Sequence, residues 1–430
     1  MNLEIEGKSA MSAMWSQIRG VPAVTFLICF AAYGLSQLDM ALFSYALPVM
    51  RRELDLTLTT VGIVVGVAYT VGGTFQLLMG HLTDRFGRST MLQLALGVAS
   101  VAVAAHALVL GPVSLTIART VTVFSGGALY PATGALVTET APARYRGLMA
   151  GLLQTAYPLG WFAAAMFAAP FLTLFGWRAL FAVALLSLPF IFVVRRYLKE
   201  SARFAVAKAQ TEKRSLSSSF GALFAPNMIR RTITLFIAQF LFVVAYGGSS
   251  LLFPTYFVEA RGVEIGSSAI LVGLGNGVGL FGYILAAYVG EFVLSRRNTV
   301  VLWTLLGATA FFGLIWGTSS YSSALAAFAV MSFFFYGASA VKFAYVAEVF
   351  PTHLRATGLA FCSSLAVNIG IAIGPLSVSA AVEAYGWDIA FSALVGVPLI
   401  TAGIFYLFLT PVPSGIDVDQ VQEHFGGKGD

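Results

Sequence analysis

Charge is scarce in this chain: Asp, Glu, Lys and Arg make up 10% of its 430 residues, where a soluble domain carries roughly 25%. Cysteine is nearly absent, with Cys29 and Cys362 alone, and there are four histidines. That excludes a disulfide framework and a Cys/His metal cluster. No Ser/His/Asp set, metal-ligand spacing or phosphate-cradling glycine loop is evident, so no enzyme activity, cofactor or metal is expected. The net charge of +6 has no water-exposed basic domain to carry it, which argues against nucleic acid as a partner.

What is present is apolar length. Hydrophobic residues make up 58% of the chain, and the mean hydropathy is +0.85. Twelve apolar stretches stand out, at 22–48, 59–82, 89–110, 113–138, 147–174, 178–197, 232–257, 266–289, 299–318, 324–349, 358–384 and 390–410. About 20 such residues span a bilayer, and lipid satisfies no backbone polar groups, so these stretches are expected to be transmembrane helices. The first is too long for a signal-peptide core and no small-residue cleavage site follows it, so it is expected to remain. Alternate loops and the two tails hold 19 Lys and Arg; the other loops hold four, Arg51, Arg52, Arg178 and Arg261. Positive-inside bias then places both termini and the 195–231 loop in the cytosol. Cys29 and Cys362 fall within spans, as small apolar fillers.

The chain also repeats itself. Glu139, Pro142 and Arg146 recur 209 residues later as Glu348, Pro351 and Arg355. Gly176, Trp177 and Phe181 recur at an offset of 210 as Gly386, Trp387 and Phe391. Six spans per half follow: an N-tail (1–20), a first bundle (21–197), a basic linker (198–231), a second bundle (232–411) and an acidic, Gly-rich C-tail (412–430). Two such halves with a cleft between them are a common build of secondary transporters. The linker reads either as a segment lying on an anionic leaflet or as a solvated charge run.

Glycine is placed inside the helices. Gly62/Gly66, Gly147/Gly151 and Gly370/Gly374 have the spacing that lets helices approach closely. Gly273, Gly275, Gly277 and Gly279 alternate in the eighth span, either for tight static packing or as a surface that slides. Pro48, Pro131, Pro158, Pro254 and Pro375 are expected to kink their helices and free carbonyls for other partners.

After the second span comes Gly80-His-Leu-Thr-Asp84-Arg85-Phe-Gly87-Arg88. It resembles the loop 2–3 signature of the major facilitator superfamily, G-x-L-x-D-R-x-G-R, and the resemblance covers essentially the whole chain. The second copy, Gly290 to Arg297, lacks the aspartate. Glu348 to Gly358 resembles the E-x-x-P-T-x-x-R-x-x-G segment of sugar porters and of the aromatic acid/proton and metabolite/proton symporters. Lys199 to Arg203 is similar to the P-E-S-P-R that follows the sixth span in those families, with both prolines lost. Ser36-Gln37-Leu38-Asp39 keeps only the second carboxylate of the D-G-x-D motif of aromatic acid symporters. The G-P-x-x-G-G signature of drug antiporters is not met at Tyr157-Pro158-Leu159-Gly160-Trp161. The resemblance implies an all-α membrane fold of two pseudo-symmetric six-helix bundles. It also implies a cytosolic gate of ion pairs built from Asp84, Arg85, Arg88, Glu139, Arg146, Glu348 and Arg355.

Few ionisable side chains lie deep in the spans, and such residues face the interior and mark pathways. Asp39 is about 13 Å below the outer end of its helix and Arg119 about 9 Å, at 1.5 Å per residue. The first and fourth spans pack together in the superfamily. Asp39 is therefore expected to take up a coupling proton and to release Arg119 for an anion; the alternative is a fixed structural ion pair. Lys342, alone in the tenth span, needs a partner: a substrate carboxylate, or else the interface or Glu348. The rest of the substrate-binding set is Tyr69, Gln76, Gln154, Tyr157, Trp161, Gln239, Tyr246, Asn276, Tyr336 and Asn368. Gly73 and Gly80 share the face of Tyr69, and Ser364 that of Asn368. Each could instead be packing. His106 is expected at the membrane interface.

Together these readings predict a proton-coupled importer of a small organic anion, an aromatic or aliphatic carboxylate, working by alternating access. The alternatives are an exporter of organic acids, a carrier of neutral sugar-like solutes, or a non-transporting sensor, which would want an extended cytosolic domain. A monomer in a bacterial plasma membrane is expected.

Overall fold

The structure, a computed structural model, describes residues 17–127, 129–142, 145–198, 221–226, 228–350 and 354–411. Most of both expected tails and of the linker lie outside the described residues, as do the side chains of Gln76, Asp84, Arg85, Arg146, Glu348 and Arg355.

Among the described residues the chain is helical. The spans are α1 (Val21–Glu53), α2 (Leu58–Phe86), α3 (Arg88–Leu108), α4 (Pro112–Gly126 and Leu129–Thr140), α5 (Met149–Leu174) and α6 (Gly176–Tyr197). The second six are α7 (Ile229–Ser250 and Phe253–Glu259), α8 (Ile265–Phe292), α9 (Arg296–Gly317), α10 (Tyr321–Phe335 and Ala338–Val349), α11 (Thr357–Tyr385) and α12 (Trp387–Leu407). Eleven are long and apolar enough to cross a bilayer. The exception is α4, divided at residue 128, which lies outside the described residues.

Local chemistry sets the helix ends. The Thr57 hydroxyl accepts from Thr60 N to cap α2, and Ser295 caps α9 the same way through Asn298 N. The repeated Gly-Trp pair marks one turn in each half: Gly176 (φ 79°) joins α5 to α6, and Gly386 (φ 81°) joins α11 to α12. A left-handed residue is needed there and glycine adopts it without strain. The halves share irregularities too. A 3-10 turn at Ala182–Leu186 in α6 stands opposite a π turn at Ser392–Gly396 in α12. The break of α5 at Thr155 stands opposite the π turn Ala360–Leu365 in α11.

Proline acts as expected in α7. Pro254 has no N–H to offer Ser250, and the helix breaks between Ser250 and Phe253. The freed carbonyls of Ser250 and Leu251 accept from the Ser44 hydroxyl of α1, at 3.4 and 2.7 Å. Pro48 instead stays inside α1, which continues past the expected residue 48 to Glu53.

Among the described residues, a set of contacts between the halves gathers at one face. The loops 54–57, 175 and 260–264 define the distal face of the bundle. Here Arg51 of α1 pairs with Glu259 of α7, and Glu383 of α11 accepts from the amide (3.1 Å) and hydroxyl of Thr59 in the first turn of α2. Gly62 and Gly66 of α2 sit directly on Leu376 and Ala372 of α11; a Cβ at Gly62 would lie 2.7 Å from Leu376 Cα. The alternating glycines of α8 serve two neighbours: Gly273 and Gly277 face Ala165 and Phe162 of α5, while Gly275 and Gly279 face Phe328 and Ser332 of α10. Gly370 and Gly374 seat α7, whereas nothing lies near a Cβ at Gly151. Cys29 and Cys362 are buried free thiols.

Candidate functional site

Proximal to these contacts, between the halves, lies a cavity of about 410 Å³. Its walls come from α1, α2, α4 and α5 on one side and from α7, α8, α10 and α11 on the other. Eight expected residues line it: Tyr69, Arg119, Gln154, Tyr157, Trp161, Tyr246, Lys342 and Asn368.

Seven aromatic side chains contribute to the walls: Tyr33, Tyr69, Tyr157, Trp161, Phe242, Tyr246 and Tyr283. Tyr157 stacks on Trp161 at 6.2 Å between centroids, and its hydroxyl bonds to that of Tyr246, joining α5 to α7 across the cavity. Tyr246 meets the edge of Tyr336 at 5.4 Å. Such rings supply apolar wall with one polar handle each. Asn368 donates to Ser364 O at 3.1 Å and lies against Gly73, where a Cβ would come within 2.7 Å of its Oδ1. Glycine at 73 thus makes room for the amide.

Two cations face this space and neither makes an ion pair among the described residues. Arg119 is 4% exposed; its Nε and Nη1 have no hydrogen-bond partner, and its guanidinium lies 4.4 Å from the Phe43 centroid. Lys342 is 4% exposed, with Nζ 3.7 Å from the Phe242 centroid. Among the described residues, no Asp or Glu lines the cavity. Rings attract cations but do not neutralise them, and an uncompensated buried charge costs several kcal/mol. An anion supplied from solution would remove that cost.

Several expectations are corrected. Asp39 does not pair with Arg119. It is 1% exposed, and its carboxylate accepts from Ser187 of α6 (3.2 Å) and Ser100 of α3 (3.4 Å). Tyr33, Ser36, Gln37 and Met40 form the cavity stripe of α1, and at 100° per residue Asp39 is turned away from it. Three expected lining residues sit behind the wall. Asn276 donates to Val272 O of its own helix, Tyr336 backs Tyr246, and Gln239 is buried one turn from Phe242. His106 is not interfacial: it is fully buried, its ring 5.0 Å from Phe181 and its Nδ1 against Ala102 O and Val103 O. The break to 3-10 geometry at Ala105–Leu108 turns it inward. Of the expected gate, Arg88 pairs with Glu139, both in the first half.

The α1 stripe escaped the sequence reading although its signal was there. Tyr33, Gln37 and Met40 recur at i, i+4 and i+7, the spacing of one helix face. Phe242, Tyr283 and Ser339 gave no signal separable from packing.

Comparison with known proteins agrees with this architecture. The chain matches the Major Facilitator Superfamily over residues 29–361 and 279–426. It is 27% identical over 409 residues to a protein of Cupriavidus pinatubonensis named "Probable 4-methylmuconolactone transporter", covering 93% of this chain and 92% of that one. It is 25% identical over 402 residues to the cis,cis-muconate transport protein of Acinetobacter baylyi, covering 91% and 93%. Among solved structures, the inward-open xylose transporter from E. coli superposes with a TM-score of 0.73 at 17% identity, covering 94% of this chain and all of that one, which bears on the fold alone. With two six-helix halves around a shared cavity and a family match along nearly its whole length, the chain belongs to the Major Facilitator Superfamily and is an integral membrane transporter, not an enzyme.

Proposed function

We propose that this transporter takes up a small organic anion, a carboxylate with an aromatic or aliphatic body, together with protons. The observation that carries this reading is the cavity's charge: among the described residues it holds two cations without an ion pair and no acid, beside seven aromatic side chains. The muconate and muconolactone named for its relatives are organic acids and derivatives of the size such a cavity takes.

Asp39 is the candidate proton acceptor. It is an intramembrane carboxylate held, among the described residues, by two serine hydroxyls, which can bond either its charged or its protonated form. It lies on α1, the helix that also supplies a cavity wall and the Ser44 and Arg51 ties of the distal closure, so a change in its charge can bias both. In this reading the distal face is the outer one, both termini are cytosolic, and bundles 21–197 and 232–411 rock about the cavity. The distal contacts close the outside while the cavity faces inward. Arg88 with Glu139, and by analogy Asp84, Arg85, Arg146, Glu348 and Arg355, belong to the opposing gate.

The test is a thermal-shift panel on the purified protein, comparing carboxylates, neutral sugars and cationic drugs at pH 5.5 and 7.5. A ligand at 100 times its Kd stabilises by about 2.7 kcal/mol. Stabilisation confined to carboxylates is expected; a response to sugars or cations alone overturns the reading. For the proton, Asp39→Asn is expected to abolish accumulation driven by a pH gradient in proteoliposomes while leaving carboxylate binding. Full accumulation by that variant would remove Asp39 from the mechanism.

A further inference from the structure

Each half of the protein presents one cation to the cavity and seats it in the same manner. In the first half, Arg119 of α4 lies over Phe43 of α1; in the second, Lys342 of α10 lies over Phe242 of α7. By the repeat, α4 corresponds to α10 and α1 to α7. Yet the residues do not correspond. The positions 209 residues after Phe43 and Arg119 are Leu252 and Phe328. The matched geometry is therefore not a copied sequence: each half has its own cation on its own ring.

These cations are similar in what they lack. Among the described residues neither has an ion-pair partner, two guanidinium nitrogens of Arg119 are buried without a hydrogen bond, and no acidic side chain lines the space between them. A cargo with one negative group satisfies one half and leaves the other charged and bare. We infer that the cargo carries two anionic groups, one engaging Arg119 in the first half and the other Lys342 in the second, as a dicarboxylate does.

The inference rests on the organic-anion reading above and adds a reason for it. A cargo bonded to both halves binds differently in conformations that hold the halves at different spacings. Such differential affinity is what lets a ligand shift a conformational equilibrium.

The experiment uses the full-length protein in detergent and two parallel series of probes. One is the linear and aromatic dicarboxylates of increasing length; the other is the monomethyl ester of each. Kd is read from competition or thermal shift. At the best-fitting length the diacid is expected to bind at least about tenfold more tightly than its monoester. Arg119→Gln and Lys342→Gln are each expected to bring diacid and monoester to within about threefold, because the second carboxylate then has no cation to meet. Lys342→Arg is expected to keep the preference, since a guanidinium retains the charge.

If the monoesters bind as tightly as the diacids at every length, the two-anion inference falls while the organic-anion reading stands. If neither series binds, both fall. If the diacid preference survives loss of either cation, the assignment of the two residues is wrong. Should a glutamine variant fail to fold, the diacid-to-monoester comparison in the unmodified protein decides alone.

Discussion

Polar groups between the two halves are handled in opposite ways at two depths. At the distal face they are paired across the interface: Arg51 with Glu259, Glu383 with the first turn of α2, Ser44 with the carbonyls that Pro254 frees. Glycine lets the backbones touch there, at Gly62 and Gly273. Toward the proximal side, Arg119 and Lys342 lie on aromatic rings and make no ion pair among the described residues. Paired groups need no further partner; an uncompensated buried charge gains from one. In the proposed function, the first set holds the distal face closed and the second meets the cargo.

Four substitutions probe that difference, in descending order of expected effect. Arg119→Gln removes a buried cation that the anion is to engage. It is expected to weaken carboxylate binding by about 2–4 kcal/mol, or roughly 30- to 1000-fold, with an unliganded melting temperature that does not fall. A Kd within threefold of the parent would return Arg119 to a structural role.

Gly62→Val belongs to the distal side. Its Cβ would meet the backbone of Leu376, which cannot turn aside, so α2 and α11 must part. Overpacking of this kind costs about 1–3 kcal/mol. The population closed at the distal face is expected to fall, seen as a longer distance between spin labels at Leu54 and Arg261. An unchanged distance would mean the contact is not what closes that face.

Tyr157→Phe deletes the hydroxyl that joins the halves within the cavity. The loss is about 1 kcal/mol, or about fivefold in the balance of conformations. The same pair of labels reports it, and Tyr246→Phe should match it if the bond is the cause. Glu383→Gln comes last. Its carboxylate is solvent-exposed, so screening leaves about 0.5 kcal/mol, the low end for a helix-cap contact. A small outward shift is expected at low salt and none at high salt; an effect that survives salt would show the contact is not electrostatic.

Much of the fold was legible in advance. Apolar length gave the spans, because a bilayer leaves a backbone no other way to satisfy itself. The Gly-Trp repeat marked turns that need a left-handed residue, and Pro254 marked a break. Within the site the legible residues were those whose chemistry is out of place in lipid: Arg119, Lys342 and the polar positions Gln154 and Asn368. Asp39 was equally conspicuous, but its partner was misjudged. Ser100 and Ser187 look like any small residues in an apolar run, and only packing brings α3 and α6 to them. His106 was misread for a similar reason: a polar residue near a helix end suits the interface until a 3-10 turn carries it inward.

Apolar length set the number of spans and which charges had to be accounted for inside the membrane, through the cost of polar groups in hydrocarbon, and recurring residues set the division into two halves. Tertiary structure alone decided which of those charges meet a partner. Whether a buried cation finds a carboxylate depends on the rotation and approach of helices distant in the chain, set by glycine contacts and turn geometry that no local spacing encodes. That is why Arg51 is paired while Arg119, among the described residues, makes no ion pair.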